Sequence, residues 1–368
     1  MGESAPPRWL PRAELQSLLD LLLADGYTVV GPTVQSSAIV FDHIRRMEQL
    51  PIGWTHRQEA GVYRLEQRDD ERCFGFTVGS HSWKQFLFPP QITVATTTQD
   101  ASGAWQCTAT VPASERYAFL GARACDLAAI GVQDRVFLQP HYEDAIYAAR
   151  RSSAFIIAVN CGHSDATCFC TSMGTGPRCT TGFDLAITEL DAGFAVEIGS
   201  ERGEQVVARL AIRSATAEEL HAAEEECRCA TQQQRSLDPR EARRVLLDHL
   251  HHPRWDEVAQ RCLSCTNCTQ VCPTCFCSSV GEVTDLDVTQ VTRQRVWDSC
   301  FNIDFSGMGG GIVRNSIKSR YRQWLTHKLA TWHDQFDVSG CVGCGRCITW
   351  CPVGLDLTEE VAAMRGDA

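Results

Sequence analysis

The chain has 368 residues, of which 44% are hydrophobic and 21% are charged. These values are typical of globular proteins, and at roughly 100–200 residues per domain the length indicates two or three domains. The net charge of −11 argues against nucleic acid as a main partner. No apolar run reaches the ~18–20 residues that cross a bilayer, and the amino terminus lacks the apolar core of a signal peptide. We therefore expect a cytoplasmic protein without a membrane span, whose 20 cysteines indicate metal binding rather than disulfides.

The first half of the chain alternates between strand-like and helical segments. A leucine-rich helix is predicted over residues 12–25. Short apolar runs separated by Pro, Gly and polar residues predict four strands, which begin at Tyr27, Ser37, Cys73 and Gln91. From Arg116, a buried strand, two helices and a second buried strand ending near Cys161 predict a parallel pair. A hairpin over 182–200 and a charged helix over 216–234 complete this half.

The last third contains two copies of one cysteine motif. Cys262 begins the pattern C-x2-C-x2-C-x3-C-P, and Cys341 begins an identical one. A [4Fe–4S] cubane needs four thiolates, and in two-cluster ferredoxins the fourth cysteine of each motif binds the other cluster. The spacing therefore predicts two clusters, cluster I on Cys262, Cys265, Cys268 and Cys351, and cluster II on Cys341, Cys344, Cys347 and Cys272.

Zinc is the alternative, because it also accepts four thiolates. Zinc ribbons use separated C-x2-C pairs and need neither a third cysteine in each turn nor the proline, so the doubled motif favours iron–sulfur. The 68 residues between the motifs, 273–340, are too many for the short hairpin of small ferredoxins and predict an α-helical dicluster domain. We expect a mixed α+β or α/β domain with a mixed sheet over 1–245, followed by this helical ferredoxin domain over 246–368.

Part of the insert, residues 296–333, is predicted to be helical, with basic residues towards its end. Residues 293–328 carry a local net charge of +5 in an otherwise acidic chain. The basic side chains are predicted to form a solvated face, and docking of an acidic partner or compensation of cluster charge is the alternative. They are Arg314, Lys318, Arg320, Arg322 and Lys328.

Other cysteines form weaker constellations. Two C-x-C pairs recur in similar contexts, TCFCTS and TCFCSS, and alternate residues of an extended segment point the same way. The first pair and the cysteines that follow two predicted parallel strands could hold a third [4Fe–4S] cluster, on Cys125, Cys161, Cys168 and Cys170. Buried free thiols are the alternative, because cysteine packs as a small hydrophobic residue.

The second C-x-C pair is Cys275 and Cys277, with Cys300 downstream. These three could bind metal together with Asp298, but packing around cluster II is the favoured interpretation. The remaining cysteines show no metal spacing, and Cys227 and Cys229 are predicted to be exposed on a charged helix. No G-x-G-x-x-G fingerprint follows a strand, and no catalytic residue is predicted.

Several stretches together resemble one family. They are GARACDLAAI (121–130), NCGHSDATCFCTSMGTGP (160–177), GFDLAITEL, CPTCFC, WDSC and HKL, together with the two ferredoxin motifs. From about residue 115 onwards, the chain resembles the dicluster iron–sulfur β subunit of cytosolic sulfhydrogenases, which are NAD(P)-linked [NiFe] hydrogenases. It also resembles the iron–sulfur subunit of anaerobic sulfite reductase that relays electrons to sirohaem.

The resemblance implies an electron-transfer subunit of a larger oxidoreductase. FAD and NAD(P) are expected on a diaphorase subunit, and the catalytic module would be the small and large subunits of a [NiFe] hydrogenase or a sirohaem sulfite reductase subunit. Two alternatives stay open from the residues themselves. One is a self-contained reductase whose amino-terminal domain binds flavin or substrate, and the other is a zinc scaffold without redox activity.

Overall fold

The computed structural model describes residues 7–110 and 115–366, so the first six residues of the amino terminus lie outside the described part. The strands are β1 (Arg8–Pro11), β2 (Thr28–Gln35), β3 (Ala38–His43), β4 (Trp54–Glu59), β5 (Val62–Gln67), β6 (Gln91–Gln99), β7 (Trp105–Ala109), β8 (Tyr117–Ala122), β9 (Phe155–Val159), β10 (Leu185–Leu190), β11 (Gly193–Ile198), β12 (Arg213–Ser214), β13 (Ser278–Thr284), β14 (Gln290–Trp297), β15 (Gly307–Met308) and β16 (Gly311–Ile312).

The helices are α1 (Leu15–Ala24), α2 (Lys84–Leu87), α3 (Ala124–Phe137), α4 (Ala145–Ser153), α5 (Glu201–Val207), α6 (Ala217–Cys229), α7 (Pro239–Asp248), α8 (Arg254–Arg261), α9 (Asn267–Gln270), α10 (Ile317–Thr326), α11 (Trp332–Phe336), α12 (Arg346–Thr349) and α13 (Leu357–Arg365). A π-helical turn, His327–Thr331, joins α10 to α11. Short 3-10 turns occur at Arg12–Glu14, Met47–Gln49 and Asp304–Ser306. Within the described ranges, no helix combines the length and the apolar character that crossing a bilayer requires.

An eight-stranded mixed sheet forms the centre of the amino-terminal half. Its order is β12-β1-β11-β10-β9-β8-β2-β3, and the four strands β10, β9, β8 and β2 run parallel. Strands β8 and β9 are buried along their whole length, as expected for parallel strands covered on both faces. The predicted parallel pair and the predicted β10–β11 hairpin are both confirmed.

Two apolar clusters cover the two faces of this sheet. The leucines of α1 pack on one face with Val29, Leu120 and Ile157. Trp83 and Ile130 pack on the other face, against Phe119 and Ile156 among others. Neighbouring residues of a strand point to opposite faces of the sheet. A strand that is apolar at every position therefore contributes side chains to both clusters.

A second sheet links the two halves of the chain. Its order is β13-β14-β6-β7, all antiparallel, so a hairpin from the insert between the cysteine motifs pairs with strands near residue 100. The hairpin was not predicted, although its Val- and Thr-rich strands around an Asp-containing turn carry a strand signal. Strands from both predicted domains, 1–245 and 246–368, therefore share this sheet. The boundary between the two domains remains a prediction.

The carboxy-terminal part packs helices around an apolar core. The residues of this core include Trp255, Tyr321, Trp324 and Leu329, and several cysteines of the two motifs border it. Helices α8, α9, α12 and α13 flank the cysteine loops, in agreement with the prediction that helices carry these loops.

Two predicted elements are wrong. Residues 73–79 form no strand, because side chains satisfy their backbone groups. The Glu189 carboxylate accepts from the Cys73 amide at 2.7 Å, and Arg123 donates to the Phe74 carbonyl at 2.9 Å. Residues 296–333 are α-helical only from Ile317, because a strand end, a 3-10 turn and a glycine-rich two-stranded ribbon occupy the preceding residues.

Candidate iron–sulfur centres

The first cysteine loop surrounds a small apolar cavity near the surface. Its lining includes the four thiols predicted for cluster I and one predicted for cluster II, namely Cys262, Cys265, Cys268, Cys351 and Cys347. Two backbone amides donate to these sulfurs, from Ser264 to Cys262 at 3.4 Å and from Leu355 to Cys351 at 3.3 Å. The Leu263 side chain beside them is exposed. This set of donors fits a cubane held close to solvent.

The second cysteine loop is buried between the helices and the amino-terminal half. Cys272, Cys341 and Cys344 are buried, and Cys347 is half-buried. The Gly343 amide donates to the Cys341 sulfur at 3.4 Å, which repeats the Ser264 bond of the first loop. Burial, followed by the charges of Cys341, Cys272 and Cys344, raises the pKa of Cys347 well above its usual range. The four thiols predicted for cluster II thus lie within electrostatic reach of one another.

Two short helices contain or precede the cysteines that the predicted assignment exchanges between the motifs. Helix α9 contains Cys268 and is followed by Cys272, while α12 contains Cys347 and is followed by Cys351. The two helices pack against each other. Each therefore presents one thiol to its own loop and the next thiol, beyond its last turn, to the other loop.

Burial raises the pKa of the three thiols of the second loop, Cys341, Cys344 and Cys347. It is the largest influence on Cys341, whose pKa is raised to about 12. Such a thiol keeps its proton at neutral pH, so metal binding has to displace protons. Among the described residues, no three His, Cys, Asp or Glu side chains are arranged to hold a single metal ion.

The four cysteines of the possible third cluster come together at one edge of the large sheet. Cys125 lies in the first turn of α3, and Cys161 follows β9. Burial, followed by Asp165, Cys170 and Cys161, raises the pKa of Cys168 well above its usual range. For Cys125 the contributions after burial include Cys344 and Cys170, which places this group beside the second loop.

Two cysteines that showed no metal spacing in the sequence lie next to this group. Cys179 and Cys227 both interact electrostatically with Cys161, and both are buried. The prediction that Cys227 is exposed is wrong, because the inner side of α6 packs on β10 and β11. Cys229, two residues later, is exposed as predicted.

The segment that carries Cys168 and Cys170 packs directly on the second cysteine loop. The Phe169 amide donates to the Gly343 carbonyl at 2.9 Å, and the hydroxyls of Thr167 and Thr349 lie 2.9 Å apart. A buried ion pair between Arg346 and Asp126, 2.8 Å apart, adds a further link to α3. The possible third centre and the second loop therefore form one packed unit.

The three cysteines of the second C-x-C group lie near Cys272 and the base of the β13–β14 hairpin. Cys275 shares a hydrogen bond with Cys272, and Cys277 shares one with Cys300 at the base of the β13–β14 hairpin. The bond from Cys300 is the main reason why the pKa of Cys277 is lowered to about 7. The Asp298 carboxylate already accepts from the Ser299 amide at 2.7 Å. This arrangement agrees with packing around the second loop.

The predicted solvated basic face is only partly correct. Lys318 is partly exposed and pairs with Asp256 at 2.7 Å, but Arg320 and Lys328 are buried, at 7% and 3% exposure. Lys84, in the part of the chain to which no function was ascribed, is also buried, against the segment around Cys272. No local sequence signal marks it, because its partners lie far along the chain.

Comparison with known proteins agrees with this geometry. A family model described as a 4Fe-4S dicluster domain matches residues 261–355, the range that spans both cysteine loops. The sulfhydrogenase 2 subunit beta of Pyrococcus furiosus is 33% identical over 255 residues, which cover 68% of this chain and 74% of that protein. No solved structure matches the chain. The chain belongs to the family of sulfhydrogenase β subunits.

Proposed function

We propose that this protein is the iron–sulfur electron-transfer subunit of a cytoplasmic oxidoreductase complex. Its partners would be a diaphorase subunit that binds FAD and NAD(P), and the small and large subunits of a [NiFe] hydrogenase. The sulfhydrogenase relative supports this partner over the sirohaem sulfite reductase subunit that the family resemblance also allows. When bound, the clusters supply one-electron transfer, which neither hydride chemistry at a flavin nor the chain's own side chains provide.

The observation that carries the proposal is the packing of α9 against α12, the two short helices that contain Cys268 and Cys347. Cys262, Cys265, Cys268 and Cys351 would hold one cluster, and Cys341, Cys344, Cys347 and Cys272 would hold the other. Because Cys268 lies in helix α9, Asn267–Gln270, and Cys272 follows two residues after its end, the two proposed sets of ligands are adjacent. Adjacent one-electron centres suit a relay.

The exposed side of the first loop supports contact with a partner subunit. Leu263 is 61% exposed, and Cys265 beside it is exposed. Apolar side chains on the neighbouring segment 303–313 are exposed as well, among them Met308 and Val313. Apolar patches of this kind mark interfaces, so we assign this face to the subunit that exchanges electrons with the chain.

Replacement of Cys265 with serine tests the relay. In the assembled complex, Cys265→Ser should abolish electron flow from NAD(P)H to the terminal acceptor. It should leave unchanged both the reduction of an artificial dye by the flavin subunit and viologen-linked activity of the catalytic module. Cys229→Ser, on the exposed end of α6, is the matched control and should leave all three rates unchanged. A coupled rate near that of the unmodified complex in assembled Cys265→Ser would contradict the proposal.

Iron content tests the third centre on Cys125, Cys161, Cys168 and Cys170. At four irons per cubane, anaerobically isolated protein should contain about twelve irons with this centre and about eight without it. We expect the higher number, and Cys161→Ser should lower it by about four. A content near eight that Cys161→Ser does not change would exclude the third centre while leaving the first two intact.

A further inference from the structure

Two buried lysines approach the same segment of the second cysteine site from opposite ends of the chain. Lys84 and Lys328 are 4% and 3% exposed. The Lys84 ammonium donates to the carbonyls of Gln270 and Cys275, each at 3.3 Å, and stands 3.8 Å from the centre of the Trp297 ring. Among the described residues, neither lysine has a carboxylate within ion-pair distance.

Lys328 is aimed at a sulfur. Its Nζ lies 3.3 Å from Cys272 Sγ, 3.0 Å from Thr274 Oγ1 and 3.1 Å from the Gly340 carbonyl. It lies in the π-helical turn between α10 and α11, a local distortion that occurs preferentially at functional sites. The Gly340 amide donates back to the Lys328 carbonyl at 2.8 Å, which fixes the turn against the second loop.

A buried ammonium without a carboxylate requires another source of negative charge. Neutral hydroxyl and carbonyl acceptors recover only part of the hydration that burial removes, and a buried charge is tolerated when an opposite charge lies beside it. The group that offers such charge here is the Cys272 thiolate with the centre that it would ligate. A cubane on four thiolates is anionic, and its charge becomes more negative on reduction, so a fixed cation favours the reduced form.

The first loop has no equivalent cation on a sulfur among the residues that the structure describes. Its nearest buried cation, Arg320, donates to the Ser264 hydroxyl at 3.4 Å and to the Arg314 carbonyl at 3.0 Å. Arg346, the buried cation beside Cys344, is neutralised by Asp126. Of the buried cations named beside the two cysteine motifs, Lys328 thus has no ion pair with a described carboxylate and contacts a predicted ligand through its ammonium.

We propose that Lys328, supported by Lys84, is a positioning residue that makes the cluster on Cys272, Cys341, Cys344 and Cys347 easier to reduce than the cluster on the first loop. The inference rests on the proposed function, because it assumes that both cysteine sets bind clusters. It adds a direction to the relay. The buried centre is then the one that is reduced first, and the exposed centre exchanges electrons with a partner.

A redox titration followed by electron paramagnetic resonance tests this inference on the anaerobically isolated full-length chain. Lys328→Gln retains an N–H donor and removes the charge. It should lower the reduction equilibrium constant of one cluster at least tenfold, about 59 mV for a one-electron couple, and leave every other cluster unchanged. Lys328→Arg should shift it less, and Lys84→Met should shift the same cluster in the same direction by less than Lys328→Gln. Lys318→Gln, on the solvent side of α10, should shift neither cluster.

Iron content is measured on every variant, so that the two proposals fail separately. Unmodified protein without the iron of two clusters would overturn the proposed function. Full iron content with the same potentials in Lys328→Gln as in unmodified protein would overturn the role of Lys328. If Lys328→Gln binds too little iron to titrate, Lys84→Met decides, and an unshifted potential there overturns the inference.

Discussion

The two cysteine loops share one motif and one backbone shape but differ in what packs against them. At the second and fourth positions after the first cysteine, both loops adopt a left-handed conformation. The first loop does so at Ser264 and Thr266, with φ of 53° and 71°, and the second at Gly343 and Gly345, with φ of 66° and 74°. The first loop faces solvent, whereas the second lies against residues 167–170.

This difference explains the choice of residues. A Cβ atom added at Gly345 would lie 2.4 Å from the Thr167 carbonyl oxygen, and one at Gly343 would lie 2.7 Å from the Cys170 backbone. Glycine is needed there because another chain segment approaches the backbone closely. The first loop has space outside, so serine and threonine are accommodated at the cost of a strained conformation. The same cysteine spacing thus occurs once in an exposed loop, with Ser264 and Thr266, and once in a buried loop, with Gly343 and Gly345.

Removal of the buried ion pair should have the largest effect on this comparison. Arg346→Met leaves the Asp126 carboxylate buried without its partner, and we expect the free energy of unfolding to fall by about 3–5 kcal/mol. Anaerobic guanidinium denaturation measures this change. Lys318→Met removes an exposed pair with Asp256 beside the first loop and should cost less than about 1 kcal/mol. Equal losses in the two variants would show that the second loop is not anchored more firmly than the first.

Replacement of the second-loop glycine should have the next largest effect. Gly345→Ala adds a Cβ against the Thr167 carbonyl and places alanine in a left-handed conformation, so the free energy of unfolding should fall by about 2–4 kcal/mol. Thr266→Ala is the control at the equivalent position of the first loop, where no packed segment interferes. A loss as large in Thr266→Ala would mean that loop geometry, rather than packing, determines the residue.

The smallest expected effect is a gain in stability. Thr266→Gly relieves a left-handed conformation that β-branched residues rarely adopt, and should raise the free energy of unfolding by about 0.5–1 kcal/mol. The same denaturation experiment measures it, with iron content as a check that the loop still binds its cluster. Lower stability in a variant with full iron content would contradict strain at Thr266.

Sequence reasoning was strongest where the information is local in the chain. The two C-x2-C-x2-C-x3-C-P motifs identify eight cysteines because their spacing is a property of single turns. The closeness of Cys125 and Cys161 was predicted from two parallel strands. Strands β8 and β9 are adjacent and parallel, so the residues that follow them meet at one edge of the sheet. The ligand assignments remain predictions that the iron measurements test.

Remote contacts explain what the sequence did not reveal. Residues 73–79 alternate like a strand, yet Glu189, 116 residues from Cys73, satisfies the backbone there. The residues around Lys84 in the sequence are typical of an exposed lysine. In the structure, its ammonium donates to the Gln270 carbonyl, 186 residues away. Cys227 belongs to a charged helix whose inner side is buried by strands that the helix pattern does not specify. In each case the residues that determine the local structure lie far away in the sequence.

The small sheet that β6 and β7 share with β13 and β14 also constrains how the protein is made. During translation, β6 leaves the ribosome long before β14, its neighbour in the sheet. Until then, one edge of β6 stays open, and open edges recruit strands from other chains. The small sheet is therefore completed only by residues that follow the first cysteine motif. A chain that ends before the hairpin between the two cysteine motifs would leave this edge of β6 without its partner strand.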